Sequence, residues 1–303
     1  MKVWIAHEEG REYLGPLPDG CDVEVYTGGD GYPSDPAEVE FWVPPFLARS
    51  KVTAPLEDMT SLRAIQLLSA GAEVWAPVVP EGVTLCDARG VHTGVTAEWT
   101  LGAILASMRG FDVFARRQEH HEWRVRWQTT VCDKHALVVG AGDIGEKVAE
   151  ALTVLGTTVT KVARRARPGV HAVDELDALL PEADVVVLIL PLTEATRGMV
   201  DAKFLARMKD GALLVNAARG PIVDTDALVA EVASGRLRCA VDVVEPEPLP
   251  ADHPLWDLEG ALITPHVGAS VDGMVERAYR PVGPQLRRFA AGEPLENTVT
   301  EGY

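Results

Sequence analysis

The chain has 303 residues, of which 47% are hydrophobic and 24% charged, and its formal net charge at pH 7 is −17. This is the composition of an ordinary globular protein, and the length passes the roughly 250–300 residues over which one core usually grows, so we expect two domains. The negative charge argues against nucleic acid as a partner. With neither an apolar run of about 18 residues nor a secretory leader, the sequence predicts a cytoplasmic protein with no membrane partner.

The cysteines are widely spaced and form no C-x-x-C pair. This spacing predicts reduced thiols and argues against a disulfide framework or a zinc site. The four are Cys21, Cys86, Cys132 and Cys239. The last of them opens an apolar strand, and we expect it to be a small core residue.

The first ninety residues alternate short apolar runs with loops that contain glycine and proline. Strands are predicted at residues 2–6 and 22–26, and Trp42 opens a short strand that ends in a rigid Pro44-Pro45 loop. The apolar run at 62–68 enters the sequence Ser-Ala-Gly-Ala-Glu, which can form either an anion cradle of backbone amides or an ordinary tight turn. This part of the chain therefore predicts a small α/β unit.

The longest helical pattern covers residues 97–117 and carries one apolar stripe, formed by Leu101, Ile104, Leu105, Met108 and Phe111. Its position suggests a linker helix between two domains. The polar stretch that follows contains Glu119-His120-His121-Glu122. Adjacent histidines point apart on a regular backbone and no second cluster accompanies them, so we predict a solvated loop and no metal site.

A short apolar run at residues 136–139 leads into Gly140-x-Gly142-x-x-Gly145, and apolar residues at helical spacing follow from Ile144 onward. In a dinucleotide fold the first glycine permits a tight turn, the second lets the backbone approach a pyrophosphate, and the third lets the helix pack on the strand. The phosphates would lie at the helix N-terminus, where free N–H groups favour an anion. Three glycines at this spacing also occur in many ordinary turns, so the rest of the chain must decide.

From residue 134 onward, strands and helices alternate. Strands are predicted at 158–162, 185–190, 212–216, 239–243 and 261–264, with helices at 174–180, 201–208, 224–234 and 272–290. The continuous apolar run at 185–190 is typical of a parallel strand that is covered on both faces. The pattern predicts a doubly wound parallel sheet whose ligands lie at the carboxyl ends of its strands.

Three of these strand ends deliver a guanidinium, a carboxylate and an imidazole to one edge of the sheet. Arg219 follows the strand at 212–216, Glu247 follows the strand at 239–243, and His266 follows the strand at 261–264. Each has an ordinary explanation, as a surface ion pair, a turn acid or a loop histidine. Their shared placement beside a dinucleotide site favours a catalytic group.

The motifs at these strand ends, in their order and spacing over residues 60–275, resemble the D-isomer-specific 2-hydroxyacid dehydrogenase family. They are the glycine turn, Leu190-Pro191-Leu192-Thr193, Asn216-Ala217-Ala218-Arg219-Gly220, the segment from Asp242 through Glu247 to Leu249, and Thr264-Pro265-His266-Val267-Gly268. Ser69-Ala70-Gly71-Ala72-Glu73 is similar to the family's substrate-carboxylate loop, although Glu73 stands where Asp is usual. Within the family the resemblance points to the glyoxylate/hydroxypyruvate reductases, and the Trp42 to Pro45 loop is similar to the substrate loop of that subgroup.

The resemblance implies an NAD(P)-dependent oxidoreductase that reduces a small 2-oxo acid to the D-2-hydroxy acid. Arg219 would bind the substrate and polarise its keto oxygen, and His266, oriented by Glu247, would donate the proton. Further substrate contacts are expected from Ala70, Gly71, Ala72 and Trp42. Cofactor contacts are expected from Gly140, Gly142, Asp143, Ile144, Gly145, Arg164, Arg165, Leu190, Pro191, Ala217, Ala218, Asp242 and Gly268.

The cofactor choice departs from the common pattern. An Asp or Glu about 20 residues after the glycines normally binds the ribose of NAD. Here the strand at 158–162 ends in Ala163-Arg164-Arg165-Ala166-Arg167, with no acid. We therefore predict a preference for NADP(H), with NAD(H) as the other cofactor that this fold accepts; the arginines of an ordinary solvated loop would look the same.

The resemblance also implies two domains and a homodimer. A flavodoxin-like substrate domain is expected from residues 1–94 with 272–303, and a Rossmann cofactor domain from residues 95–271. Two other functions share this scaffold: a dinucleotide-sensing corepressor and a formate or phosphite dehydrogenase. The presence of Arg219, Glu247 and His266, and the lack of a basic tail, argue against the first. The pairing of Glu247 with His266 argues against formate oxidation.

Overall fold

A computed structural model of the chain describes residues 1–29, 31–46 and 52–300. The chain divides into two compact units, one formed by Met1–His92 with Val271–Tyr303 and the other by Thr93–Ser270. Each unit is built on one parallel sheet. Within the described ranges, none of the helices has the length and apolar character needed to cross a membrane.

The first unit contains five short strands, which pair in the parallel order β2-β1-β3-β4-β5. They are β1 (Lys2–Ile5), β2 (Asp22–Val25), β3 (Val39–Val43), β4 (Ala64–Gln66) and β5 (Thr84–Cys86). Val3 and Ile5 belong to one apolar core and Trp4 to another, because successive side chains of a strand point to opposite faces. Both faces of the sheet are covered, which explains its unbroken apolar runs.

The second unit alternates helices and strands through most of its length. Its elements are α1 (Thr93–Arg109), α2 (Phe111–Glu119), β6 (His135–Val139), α3 (Asp143–Val154), β7 (Thr158–Ala163), β8 (His171–Ala172), α4 (Leu176–Leu179), β9 (Val185–Leu188), α5 (Ala202–Arg207), β10 (Leu213–Asn216), α6 (Thr225–Ala233), β11 (Arg238–Val241) and β12 (Ala261–Ile263). The chain then returns to the first unit through α7 (Met274–Tyr279) and α8 (Val282–Ala291).

The seven strands of the second unit pair in the parallel order β12-β11-β10-β9-β6-β7-β8. Separate apolar clusters cover the two faces: Val186 and Leu214 point into one, and Val185 and Leu213 into the other. The predicted α/β class with a doubly wound parallel sheet and a second, smaller sheet is confirmed. Cys239 is buried in this core, and burial raises the pKa of its thiol to about 12.

Two predicted helices are each broken into two. The pattern at 97–117 predicted one helix that continues through Gly110. In the structure Gly110 adopts a left-handed conformation (φ 63°) and separates α1 from α2. The pattern at 272–290 is interrupted at Pro281, which stands before α8 because its ring removes the N–H that an interior helical bond needs. The three-residue strand β5 was not predicted, since a run as short as Thr84-Leu85-Cys86 has no clear periodicity.

Candidate functional site

The carboxyl ends of β10, β11 and β12 lie side by side, because these strands are parallel neighbours in the sheet of the second unit. Arg219 follows β10, Glu247 follows β11 and His266 follows β12. The glycine turn follows β6 at the same edge, with only β9 between β6 and β10. The structure therefore brings the three predicted catalytic residues and the predicted phosphate turn to one edge of one sheet.

His266 and Glu247 form a hydrogen-bonded pair, with 2.7 Å between Nδ1 of the imidazole and Oε1 of the carboxylate. A carboxylate only accepts, so Nδ1 carries the hydrogen of this bond. The second ring nitrogen, Nε2, is thus the one that can exchange a proton with a substrate. Both side chains are partly exposed, at 30% for His266 and 42% for Glu247, so the pair is accessible from solvent.

The turn that carries His266 is held by the buried carboxylate of Asp242. Its Oδ1 accepts from Thr264 Oγ1 at 2.6 Å and from the Val267 N–H at 2.8 Å, and its Oδ2 accepts from the Gly268 N–H at 2.7 Å. His266 itself has a left-handed backbone (φ 55°), which an L residue adopts at a cost of about 1–2 kcal/mol. The hydrogen bonds around Asp242 stabilise that conformation. Asp242, predicted as a cofactor contact, has both oxygens engaged within this turn.

The loop that carries Arg219 is fixed by Asn216, which is buried at the end of β10. The Asn216 amide donates to the carbonyls of Arg219 and Val243 and accepts from the Ala218 N–H. Gly220 follows directly, where a Cβ atom would stand 2.0 Å from the Val244 carbonyl oxygen. This close approach to the segment after β11 explains why a glycine follows Arg219. The Arg219 guanidinium donates to the carbonyl of Ala218 at 2.7 Å.

The three glycines of the 140–145 turn differ in how much space surrounds them. A Cβ atom at Gly140 would stand 2.1 Å from the Ile189 carbonyl oxygen, and one at Gly145 would stand 1.8 Å from that of Gly140. Both glycines are therefore required by packing, and Gly140 also has a positive φ of 117°. A Cβ atom at Gly142 would meet no described atom within 4 Å. Gly142 caps α3, so open space lies at a helix N-terminus and fits the pyrophosphate of a dinucleotide.

Three arginines follow β7 at the expected ribose position. Arg164 and Arg165 are exposed. Arg167 donates from Nη2 to the carbonyl of Ala141 inside the glycine turn, a contact that was not predicted, although Arg167 belongs to the same arginine run. No carboxylate follows β7 before residue 174. The end of this strand therefore carries guanidinium groups, which can pair with a phosphate.

The remaining predicted cofactor residues surround the same sheet edge. Asp143 and Ile144 form the first turn of α3, Leu190 and Pro191 follow β9, Ala217 and Ala218 follow β10, and Gly268 lies in the turn after β12. Only Ala218 and Gly268 among these are buried. Among the described ranges, no group of three or more His, Cys, Asp or Glu side chains is arranged to hold a metal ion.

The predicted substrate loop lies in the first unit, where Ala70, Gly71 and Ala72 follow β4. The prediction of Trp42 as a substrate contact needs correction. Trp42 lies inside β3, is 0% exposed and packs edge-on against Trp75 with 5.3 Å between ring centroids. Its inward orientation follows from strand alternation, which the Pro-Pro motif does not reveal, and it makes Trp42 a core residue.

Taken together, a doubly wound sheet, a glycine turn at a helix N-terminus and an imidazole–carboxylate pair define a dinucleotide-binding oxidoreductase fold with an acid–base site. Residues 101–268 match the family model described as D-isomer specific 2-hydroxyacid dehydrogenase, NAD binding domain. The chain belongs to this family, and the predicted resemblance is confirmed.

Curated relatives include one protein without a named reaction and enzymes of two different named reactions. An uncharacterized protein from Corynebacterium melassecola is 34% identical over 80% of this chain and 84% of its own length. Glyoxylate/hydroxypyruvate reductase B of Citrobacter koseri is 35% identical over 72% of each chain. D-3-phosphoglycerate dehydrogenase of Mycobacterium tuberculosis is 34% identical over 73% of this chain, but the match spans only 43% of that enzyme's length.

Solved structures match the whole chain. A D-isomer specific 2-hydroxyacid dehydrogenase from Xanthobacter autotrophicus Py2, in complex with NADPH and MES, has a TM-score of 0.84 and 29% identity over 99% of both chains. An NADPH-dependent glyoxylate/hydroxypyruvate reductase from Sinorhizobium meliloti, in complex with NADP and sulfate, has a TM-score of 0.83 and 26% identity over 98% of both chains.

Proposed function

We propose that this protein reduces a small 2-oxo acid of the glyoxylate or hydroxypyruvate type to the D-2-hydroxy acid, with NADPH as the preferred cofactor. The observation that carries the proposal is the His266–Glu247 pair, whose 2.7 Å bond leaves Nε2 of the imidazole to exchange a proton at the same sheet edge as Arg219 and the glycine turn. The reductases named among the relatives support the substrate class.

The bound nicotinamide supplies a hydride to the keto carbon. Protonated His266 donates its Nε2 proton to the keto oxygen, and the carboxylate of Glu247 keeps the ring oriented through Nδ1. Arg219 presents a planar fork of donors to the substrate carboxylate and keto oxygen, where negative charge grows during reduction. The backbone of Ala70, Gly71 and Ala72 is assigned to the carboxylate as well. Under this scheme, Arg219→Ala or His266→Ala abolishes most turnover of every 2-oxo acid that the parent reduces.

The residues after β7 support the cofactor preference. Arg164 and Arg165 are exposed at the position where NAD-selective enzymes carry an acid, and Arg167 reaches back to the glycine turn. The guanidinium groups of Arg164 and Arg165 are assigned to the 2′-phosphate of NADP(H). The double variant Arg164→Ala/Arg165→Ala is expected to weaken NADPH binding by about 10- to 100-fold, as expected for one or two lost phosphate contacts. NADH binding is expected to stay within about twofold, since it offers no phosphate at this position.

The same unit carries a surface that supports the homodimer. Trp123, Val125 and Trp127 are 99%, 82% and 94% exposed in the extended segment after α2. Two tryptophans so exposed on one short segment are typical of a protein–protein contact. We assign the segment to a contact with a second copy of the chain. Sedimentation analysis of the parent and of Trp123→Ser/Trp127→Ser is expected to show a dimer and a monomer, respectively.

One screen tests the activity against the alternatives. Oxidation of NADPH and of NADH is followed with glyoxylate, hydroxypyruvate, pyruvate and the phosphorylated acid that a phosphoglycerate dehydrogenase uses. The reverse reaction is tested with formate and phosphite. Turnover of a small 2-oxo acid with NADPH is expected. Turnover of only the phosphorylated acid, or of formate or phosphite, contradicts the substrate assignment, and tight dinucleotide binding without turnover favours a sensing protein.

A further inference from the structure

The predicted carboxylate loop (residues 69–73) begins where the ladder between β4 and β5 is interrupted. The Leu67 N–H donates to the Cys86 carbonyl at 2.8 Å, as the parallel register requires. In an unbroken parallel ladder the next bond would run from the Ala88 N–H to the Leu67 carbonyl. It runs instead to the Ser69 carbonyl, at 2.9 Å. The chain therefore leaves the regular ladder directly before the loop, and the ladder releases the Leu67 carbonyl.

The released carbonyl is bonded by a side chain. Gln66, the last residue of β4, donates from Nε2 to the Leu67 carbonyl at 2.9 Å and to the Asp87 carbonyl at 3.0 Å. One amide group thus joins the two chain segments at the point where the ladder bond is missing. Gln66 is 1% exposed, and a buried carbonyl left without a partner costs about 1–3 kcal/mol.

A second glutamine holds the first. Gln285, on α8 and 3% exposed, donates from Nε2 to Gln66 Oε1 and to the Glu296 carbonyl, each at 2.9 Å. Its own Oε1 accepts the Glu296 N–H at 3.0 Å. The carbonyl partners identify the nitrogen of each amide group, and both groups use their two hydrogens and their oxygen. A polar pair buried this deeply is costly unless it is fully bonded, and full bonding makes its geometry specific.

The chain after α8 completes the network. Its C-terminal segment (residues 296–299) runs antiparallel beside β5. The Asn297 carbonyl accepts from the Asp87 N–H at 3.0 Å, and the Val299 N–H donates to the Leu85 carbonyl at 2.8 Å. The Val299 side chain packs against the apolar cluster that contains Leu85. The C-terminal segment is therefore bonded both to Gln285 and to the strand that the carboxylate loop leaves.

We propose that Gln66 and Gln285, anchored by the C-terminal segment, are positioning residues for the carboxylate loop. Gln66 fixes the point at which the chain leaves the ladder, and so the direction in which the backbone of residues 70–72 continues. Gln285 fixes the amide group of Gln66, and the backbone of Glu296 fixes Gln285. Both glutamines act through the loop and need no contact with the substrate. This assignment rests on the proposed function, which gives the loop to the substrate carboxylate.

The place of the network separates its effect on the substrate from its effect on the cofactor. All of its residues belong to the first unit, whereas the glycine turn and the arginines assigned to the dinucleotide belong to the second. A network that only stabilised the fold would affect both ligands alike when it is weakened. A network that positions the carboxylate loop raises the KM of the 2-oxo acid and leaves the KM of NADPH unchanged.

The test replaces each glutamine by methionine, which is similarly long and unbranched but has no N–H to donate. Gln66→Met and Gln285→Met are each expected to raise the KM of glyoxylate or hydroxypyruvate about tenfold, the worth of about one hydrogen bond. The KM of NADPH is expected to stay within about twofold. Ser34→Ala is the matched control, because it removes a hydroxyl that donates to Glu24 on β2, the edge strand opposite β5. It is expected to lower the Tm and to leave both KM values unchanged.

Hydrogen exchange followed by mass spectrometry adds a readout that needs no activity. In the parent, the amides of residues 66–73 and of the C-terminal segment are expected to exchange at similar rates, because one network holds both. Gln285→Met is expected to speed exchange in both segments and to leave β1 and β3 as in the parent. Ser34→Ala is expected to leave both segments unchanged.

The outcomes separate the two levels of the proposal. Methionine variants that keep the parental KM of the 2-oxo acid, or that raise the KM of NADPH equally, overturn the positioning role and leave the proposed function standing. A parent that reduces no 2-oxo acid overturns the proposed function, and hydrogen exchange then still decides whether the network holds the loop. If the variants do not fold, the parent decides: exchange more than about tenfold faster in the C-terminal segment than in residues 66–73 shows that the segment opens without the loop, and refutes the assignment.

Discussion

Replacing Asp242 by Asn tests whether the turn after β12 positions the catalytic imidazole. The Asp242 carboxylate accepts three hydrogen bonds of 2.6–2.8 Å from the turn that carries His266. An Asn side chain has one accepting oxygen, so in either orientation its NH₂ group faces a backbone N–H, of Val267 or of Gly268, and cannot accept from it. The loss of one bond to a charged group, in a residue that is only 6% exposed, is worth about 1.5–3 kcal/mol.

Two effects follow from this loss. The Tm is expected to fall by about 3–12 °C, at 2–4 °C per kcal/mol for a unit of this size. The kcat is expected to fall by about 10- to 100-fold, because His266 leaves its left-handed conformation and small misplacements of a catalytic group are costly. Thermal unfolding followed by circular dichroism gives the first value, and NADPH oxidation at saturating 2-oxo acid gives the second.

Asp184 offers the matched control at the opposite edge of the same sheet. It precedes β9 and accepts from Lys209 Nζ at 2.7 Å and from the His135 N–H at 3.0 Å. Asp184→Asn is expected to lower the Tm and leave kcat within about twofold of the parent, since it lies far from the strand ends that carry the site. If Asp242→Asn keeps the parental kcat, or if both variants lose kcat equally, the positioning role of Asp242 is refuted.

Further outcomes are expected from four single changes. Gly142→Ala should keep the parental Tm, because its Cβ atom meets no described atom within 4 Å, and calorimetry should show weaker dinucleotide binding. Gly140→Ala should unfold at a lower temperature, because its Cβ atom would stand 2.1 Å from a carbonyl oxygen. Arg219→Lys retains the charge and loses the bidentate fork, so steady-state kinetics should show a higher KM and a lower kcat, together about 10- to 1,000-fold in kcat/KM; an unchanged value contradicts the role of Arg219. Burial opposes ionisation of Asp184, but its bonds to Lys209 and the His135 N–H hold its pKa below the usual value of 3.8. Its contribution is therefore present above that value and lost as the pH falls through the lower folded pKa. Urea unfolding should show Asp184→Asn less stable than the parent at pH 7, with the difference shrinking as the pH is lowered below 3.8.

The strand ends of the second unit were predictable because buried parallel strands are continuous apolar runs in the sequence. A polar residue marks at least one end of each apolar run: Asp184 precedes β9, Asn216 ends β10 and Asp242 follows β11. Once the strands are placed, parallel pairing puts whatever follows them at one edge. The predicted positions of Arg219, Glu247 and His266 at that edge depend on nothing more, which is why pattern was sufficient for them.

The orientations within loops required the structure. The Asp242 carboxylate turns into its own loop, because three donors of residues 264–268 converge on it. No residue pattern encodes that convergence, and the sequence had suggested a contact with the cofactor. Trp42 shows the same limit in a strand: the motif indicated a loop beside the substrate, but a one-residue difference in register decides which face a side chain occupies.

The arginine run after β7 shows how one loop can serve two parts of the site. Arg167 donates to the Ala141 carbonyl in the glycine turn and lies 3.9 Å from Glu146 on α3. Glu146 in turn pairs with Lys161 on β7 at 2.6 Å. These bonds tie the loop after β7 to the turn after β6, so the place assigned to the 2′-phosphate and the place assigned to the pyrophosphate are held by one network. A change at Arg167 is therefore expected to weaken NADPH and NADH alike, whereas changes at Arg164 and Arg165 act on NADPH.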